Sequence, residues 1–150
     1  MRKMFLLLMA AAFVLTVGFV VSEAAVKEQQ VFKKAQNKTW DRQDVAGGKG
    51  TLAGKFAYTR NDAKPEYVIK EIGWMSLKPG ESIGMHQHTN NEDSYIILSG
   101  TGEFTDSDGT VVVVNEGDVT IARAGQSHAL KNIGKVPLLF LDIIGQNSSK

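Results

Sequence analysis

From residue 47 onward the chain is written in short apolar runs cut by turn residues. The runs are 52–59 (LAGKFAYT), 67–77 (YVIKEIGWMSL), 94–98 (SYIIL), 111–114 (VVVV), 119–121 (VTI) and 136–144 (VPLLFLDII), rich in β-branched and aromatic residues. Between them stand Asn61-Asp62, Pro79-Gly80, Ser99-Gly100, Ser107-Asp108-Gly109 and Asn115-Glu116-Gly117, each with plausible turn chemistry. No stretch past residue 30 sustains a helical period. Six or more short strands in about 100 residues predict an all-β antiparallel sandwich or jelly-roll barrel.

The first residues follow a different pattern. Met1, Arg2 and Lys3 make a positive start, residues 4–21 are uncharged and apolar, and Ser22-Glu23-Ala24 places small residues where a signal peptidase reads. This predicts a signal peptide over 1–24, cleaved after Ala24. The apolar run is also just long enough to span a bilayer, so the alternative is an uncleaved membrane anchor. Both readings put the domain outside the cytoplasm, and cleavage would leave a periplasmic or secreted protein with no membrane attachment. Residues 25–45 are polar and rich in Lys and Gln, with Val31, Phe32 and Trp40 as their large apolar groups. They are expected to form an N-terminal arm lying on its own barrel or a partner's, with the barrel domain over 46–150.

Composition narrows the function classes. The formal charge is +1, with 17 basic and 16 acidic residues. Such a chain has no basic field for nucleic acid. It has no Cys, so disulfides, thiolate zinc sites and lipoprotein anchoring are excluded. Without residues 1–24 it keeps 15 basic and 15 acidic residues and about 37% apolar content. That modest fraction suits sheets with one wet face and a core completed in part by another subunit.

All 3 histidines fall between residues 86 and 128. His86 and His88 stand two apart, a spacing that puts both imidazoles on one face of a strand. Glu92 and Asp93 follow after a turn-rich Thr89-Asn90-Asn91 link, and either could supply an oxygen ligand. His128 comes 40 residues after His88, behind a turn at Ala124-Gly125-Gln126. Three imidazoles and a carboxylate suit Mn(II), Fe(II), Co(II), Ni(II) or Zn(II), with open positions for substrate in an octahedral site.

These positions resemble the two motifs of a small single-domain cupin. The first, G(X)5HXH(X)3-4E(X)6G, reads Gly80, His86, His88, Asp93 and Gly100; the second, G(X)5PXG(X)2H(X)3N, reads Gly117, Arg123, Gly125, His128 and Asn132. Every interval is kept. There are two departures: Asp93 stands where the motif has Glu, and Arg123 where it has Pro. The resemblance implies a cupin-type jelly-roll barrel (a double-stranded β-helix) holding one divalent metal through His86, His88, Asp93 and His128. Glu92 remains the alternative carboxylate, favoured by residue type, whereas the interval to Gly100 favours Asp93.

Other candidates near the site have two readings each. Arg123 is an anchor for an anionic substrate or a solvent-facing turn residue; Gln126 bonds to a metal ligand or closes its own turn; Tyr95 lines the site or packs the core. Asn132 is expected to fix strand geometry through backbone bonds. The resemblance further implies a homodimer. The expected function is to bind, and by one reading to transform, a small oxygen-rich molecule such as a sugar or organic acid. Transformation would make it a metal-dependent oxygenase, oxidase or isomerase; the alternative is a non-catalytic carrier or sensor.

Overall fold

The computed structural model describes residues 28–146, so the expected signal segment lies outside the described residues. Eleven strands form two sheets. Two short ones, β1 (Lys38–Thr39) and β2 (Arg42–Gln43), come from the arm and pair with β3 (Thr51–Tyr58) of the same chain. Next come β4 (Ile69–Leu77), β5 (Ser82–Gln87), β6 (Glu92–Ser99), β7 (Thr101–Thr105), β8 (Val111–Asn115), β9 (Val119–Ala122), β10 (Ser127–Asn132) and β11 (Leu138–Gly145). Single 3-10 turns occur at Lys34–Gln36 and Val45–Gly47, and there is no α-helix among the described residues.

The larger sheet runs β1-β3-β4-β11-β6-β9, with β2 also on β3; the smaller runs β5-β10-β7-β8. Every pairing is antiparallel. The sheets face each other and alternate side chains turn inward, as the period of two requires. On β6 the inward residues are Asp93, Tyr95 and Ile97; on β11 they are Leu138, Phe140, Asp142 and Ile144. The double-stranded β-helix expected from the motifs is thus the observed architecture.

Three strands of the smaller sheet, β5, β7 and β10, are not among the apolar runs read from the sequence. Their sequences, SIGMHQ, TGEFT and SHALKN, are too polar to stand out. Pairing on both sides holds β10, between β5 and β7, so backbone hydrogen bonds and a few buried side chains do what hydrophobicity does elsewhere.

The core gathers Leu52, Phe56, Met75, Leu77, Ile83, Ile97, Phe104, Leu130, Leu138 and Phe140 between the sheets. Phe56 is fully buried and lies over Gly73 of β4, where an added Cβ would come within 2.6 Å of the ring. Asn132 closes one end of the barrel: its Nδ2 donates to the Leu77 and Val136 carbonyls, both at 2.8 Å, and its Oδ1 accepts from the Gly134 amide. Phe56→Ala should cost about 3–5 kcal/mol of unfolding free energy. Urea denaturation checks this, and a loss below about 1 kcal/mol would mean that Phe56 is not part of a close-packed core.

Candidate metal centre

His128 and His86 face each other across the β10–β5 pair, and both project between the sheets. His88 lies just past the end of β5, where its position depends on the turn before β10. The His88 amide donates to the Gln126 carbonyl at 2.9 Å, the Gly125 amide to the His88 carbonyl at 2.6 Å, and the Gln87 side chain to the Gly125 carbonyl at 2.9 Å. Gly125 has φ +90, a conformation that strains L side chains. Gln126 closes the same turn by accepting from the Arg123 amide through Oε1, at 2.9 Å.

The ligand atoms meet in one place. His88 Nε2 is 3.0 Å and His86 Nε2 3.2 Å from His128 Nε2. Asp93 Oδ2 approaches His88 Nε2 at 3.3 Å and His128 Nε2 at 3.4 Å, and all four ligand atoms lie within 4.8 Å of one another. Glu92, the adjacent strand residue, turns outward and pairs with Arg123 at 2.8 Å on the exposed surface. The carboxylate facing the imidazoles is therefore that of Asp93. Arg123 and Gln126 do not line the cavity over the site; they shape the turn that carries His88 and His128. Tyr95 stacks on the His128 ring with centroids 4.9 Å apart.

This donor set fits a divalent cation. Three imidazole nitrogens so close cannot all direct lone pairs at one another without a charge among them, and isolated protons satisfy only some of the pairs. His86 Nδ1 meets the Gly84 carbonyl at 2.9 Å, so that nitrogen carries its proton and leaves Nε2 free to ligate. His128 Nδ1 has no hydrogen-bond partner among the described residues. Burial lowers the pKa of all three imidazoles, most strongly for His128, which is pushed down to about 3 by desolvation and then by the His86 charge. Neutral imidazole is the form that binds metal.

Several functional candidates come from residues the sequence reading did not single out. The site opens into a cavity of about 290 Å³ lined in part by Arg42, Arg60, Glu71, Asp142 and Trp40. Asp142 sits on β11 opposite Tyr95, within an otherwise apolar run. Burial raises both carboxyls of the adjacent Asp93 and Asp142, and the Asp93 charge adds to the rise at Asp142, which lies well above its usual range. Glu71 is raised too, first by burial and then by Asp142, with Arg60 opposing. Arg42 lies over Trp40 at 4.7 Å from the ring centroid and, among the described residues, has no carboxylate within 4.0 Å and keeps a buried Nε without a partner. The clue to Asp142 was visible: it is the one charged residue in VPLLFLDII. The arginines gave no such signal.

Together, the fold and site define a small double-stranded β-helix with a centre suited to a divalent metal. The chain belongs to the cupin family: the family model described as "Cupin domain" matches residues 73–144. The chain is 34% identical over 101 residues to a Thermotoga maritima protein named oxalate-binding protein, which covers 67% of this chain and 81% of that one. A solved Thermotoga maritima structure, described as a predicted oxalate decarboxylase, superposes with a TM-score of 0.70 at 29% identity, covering 78% of this chain and 99% of that one. The Escherichia coli mannose-1-phosphate guanylyltransferase is 29% identical over 86 residues, 57% of this chain but only 17% of that protein.

The imidazole environment predicts a pH effect on the metal-free protein. The folded His128 resists protonation while the unfolded chain accepts protons near pH 6.5, so its contribution to stability is present above that pH and is lost as pH falls toward about 3. Between pH 7.5 and 5 the wild type should lose about 2 kcal/mol more than His128→Phe, measured by urea unfolding in chelator. Asp142, raised instead of lowered, acts in the opposite sense, and its effect largely cancels in this comparison. Equal losses in the two proteins would place His128 in a solvated site.

Proposed function

We propose that this protein binds one divalent transition metal through His86, His88, Asp93 and His128, and on it a small carboxylic acid of the oxalate class. The observation that carries the reading is that the four converging ligand atoms open onto a small cavity holding two arginines. When bound, the metal would supply Lewis-acid attraction for two oxygens of the ligand. Arg42 would then take the far carboxylate. Its guanidinium lines the cavity, and its position over the Trp40 ring keeps it in place. The cavity is large enough for a two-carbon diacid. The similarity to a protein named for oxalate binding supports the same class.

A second reading, turnover of the bound acid, is favoured by one feature: a buried second carboxyl, Asp142, whose pKa burial raises, lines the cavity beside Asp93 where it could carry a proton to the ligand. Metal content, binding and product assays separate these readings. Purified protein refolded with Mn(II), Fe(II), Co(II), Ni(II) or Zn(II) should retain close to one equivalent of at least one metal, and His88→Ala should retain under a tenth as much. The loaded protein should gain thermal stability with oxalate, and Arg42→Gln should weaken that binding about tenfold or more. Carbon dioxide or peroxide released from oxalate would establish turnover; stabilisation without product would establish a binding module. Metal retention unchanged by His88→Ala would refute the site.

The same reading includes export and pairing. The N-terminal segment suggests cleavage after Ala24 and a periplasmic or secreted mature chain, and no described helix is long and apolar enough to cross a membrane. The edge strands β8 and β9 expose Val111, Val112, Val113, Val119 and Ile121, an apolar border suited to a second copy. Expression of the full chain should therefore yield a product that begins at Ala25 by mass spectrometry and behaves as a dimer in light scattering. Retention of residues 1–24 in the membrane fraction would favour the anchor, and a monomer would refute the pairing.

A further inference from the structure

Asn91 is buried in the link between His88 and Asp93, and its amide lies between two groups with opposing demands. On one side is His88 Nδ1, at 2.9 Å; on the other are the two terminal nitrogens of the Arg60 guanidinium, at 3.0 and 3.2 Å. The guanidinium has only donors to offer. The amide oxygen and nitrogen are told apart by their partners, and only with the oxygen toward the guanidinium and the NH2 toward His88 Nδ1 are both contacts donor to acceptor. An imidazole that accepts at Nδ1 carries its proton on Nε2. In this orientation Nε2–H faces the Asp93 carboxylate at 3.3 Å, an acceptor, with the His128 nitrogen at 3.0 Å. That tautomer cannot ligate a metal through Nε2.

Metal binding needs the reverse arrangement. The His88 proton must move to Nδ1, which then requires an acceptor, and the nearest is the Asn91 oxygen after a half-turn of its amide. That turn sets the NH2 against a guanidinium of donors. Arg60 therefore opposes the ligating tautomer without touching His88, and no change in net charge is involved.

We propose that Asn91 is a positioning residue whose amide orientation selects the His88 tautomer, and that Arg60 holds it in the orientation that withholds Nε2 from the metal. The inference rests on the metal-site reading above. Its consequence is coupling: an anion that occupies Arg60 releases the Asn91 oxygen to His88 and strengthens metal binding, and by reciprocity the metal strengthens anion binding. The exposed half of the Arg60 side chain, opening on the cavity, leaves room for such an anion.

Two measurements on the full folded protein test it. Long-range 15N–1H correlation spectra of the metal-free protein report which His88 nitrogen is protonated. The expected result is Nε2–H in the wild type and a shift to Nδ1–H in Arg60→Gln and in Asn91→Asp, whose carboxylate only accepts. An Nδ1–H wild type, or an Arg60→Gln spectrum that matches the wild type, would overturn the proposal. These spectra need no metal, so they remain decisive even if the protein binds none, an outcome that would sink the metal reading separately. Cobalt(II) affinity by chelator competition provides the second readout. Arg60→Gln removes a positive charge as well as a donor, so the same change in an Asn91→Leu background isolates the charge effect. The gain should be about tenfold with Asn91 present and no more than about threefold without it. Equal gains would refute the role of the amide. If Asn91→Leu fails to fold, Arg60→Lys, which keeps the charge but lacks the planar fork, replaces it: a cobalt affinity as high as that of Arg60→Gln would support the geometric role, and one equal to wild type would oppose it.

Discussion

The open end of the barrel depends on one constraint: three imidazole nitrogens and a carboxylate oxygen are forced together at the largely buried floor of a cavity. His128 is fully buried, and its Nε2 is the atom that the other nitrogens crowd. A site of this kind is unfavourable until a cation fills it, because each donor has been dehydrated to face others like itself. What keeps it assembled is the hydrogen-bonded frame around it. The β5–β10 register sets His86 opposite His128, the turn at Gly125 fixes the His88 backbone, and β6 delivers Asp93 from the other sheet. The stability of the apolar end therefore holds in place a polar end that would not assemble alone.

The inward rows of three adjacent strands show how that division is built. Along β4 they change from Leu77 and Met75 to Glu71 and along β6 from Ile97 and Tyr95 to Asp93, while on β11 Asp142 interrupts the apolar row between Phe140 and Ile144. Because these strands are neighbours, the changes occur at one height in the barrel. These acidic side chains share the cavity wall with two arginines: burial raises the Asp142 carboxyl, Asp93 faces the imidazoles, and Glu71 lies 4.0 Å from Arg60.

Much of this was legible in the residues. The strand runs pointed to the larger sheet, and the two spaced motifs carried the family and the four facing side chains. The parity of a strand also separates Glu92 from Asp93, since adjacent residues point to opposite faces; the side that faces inward is decided by Tyr95 and Ile97, the buried members of the same row. Less legible was the smaller sheet, whose strands read Ser-Ile-Gly-Met-His-Gln and Ser-His-Ala-Leu-Lys-Asn. Half of their inward positions hold chemistry or glycine in place of hydrophobes, so no alternation signals them. Arg60 and Asn91 were missed for a different reason. Each sits in a connection, and their meaning comes only from being next to His88 in space.

Arg42 extends the argument to the N-terminal arm. As a sequence the arm is a polar stretch with a few large apolar residues, and an extended element lying on a barrel accounts for it. In the folded chain its short strands pair with β3, which brings Trp40, Arg42 and Val45 to the wall of the cavity. The arm thus supplies a cavity arginine that, among the described residues, has no carboxylate within 4.0 Å, while Arg60 is drawn to Glu71 and Asn91. An arginine without a carboxylate at hand, held over an indole ring, binds an anion without first breaking an internal pair. The arm is consequently part of the site and not an appendage to the barrel. On the function proposed above, two cations of unequal commitment would divide the work: Arg42 would hold the ligand, and Arg60, next to Asn91, would respond to its arrival.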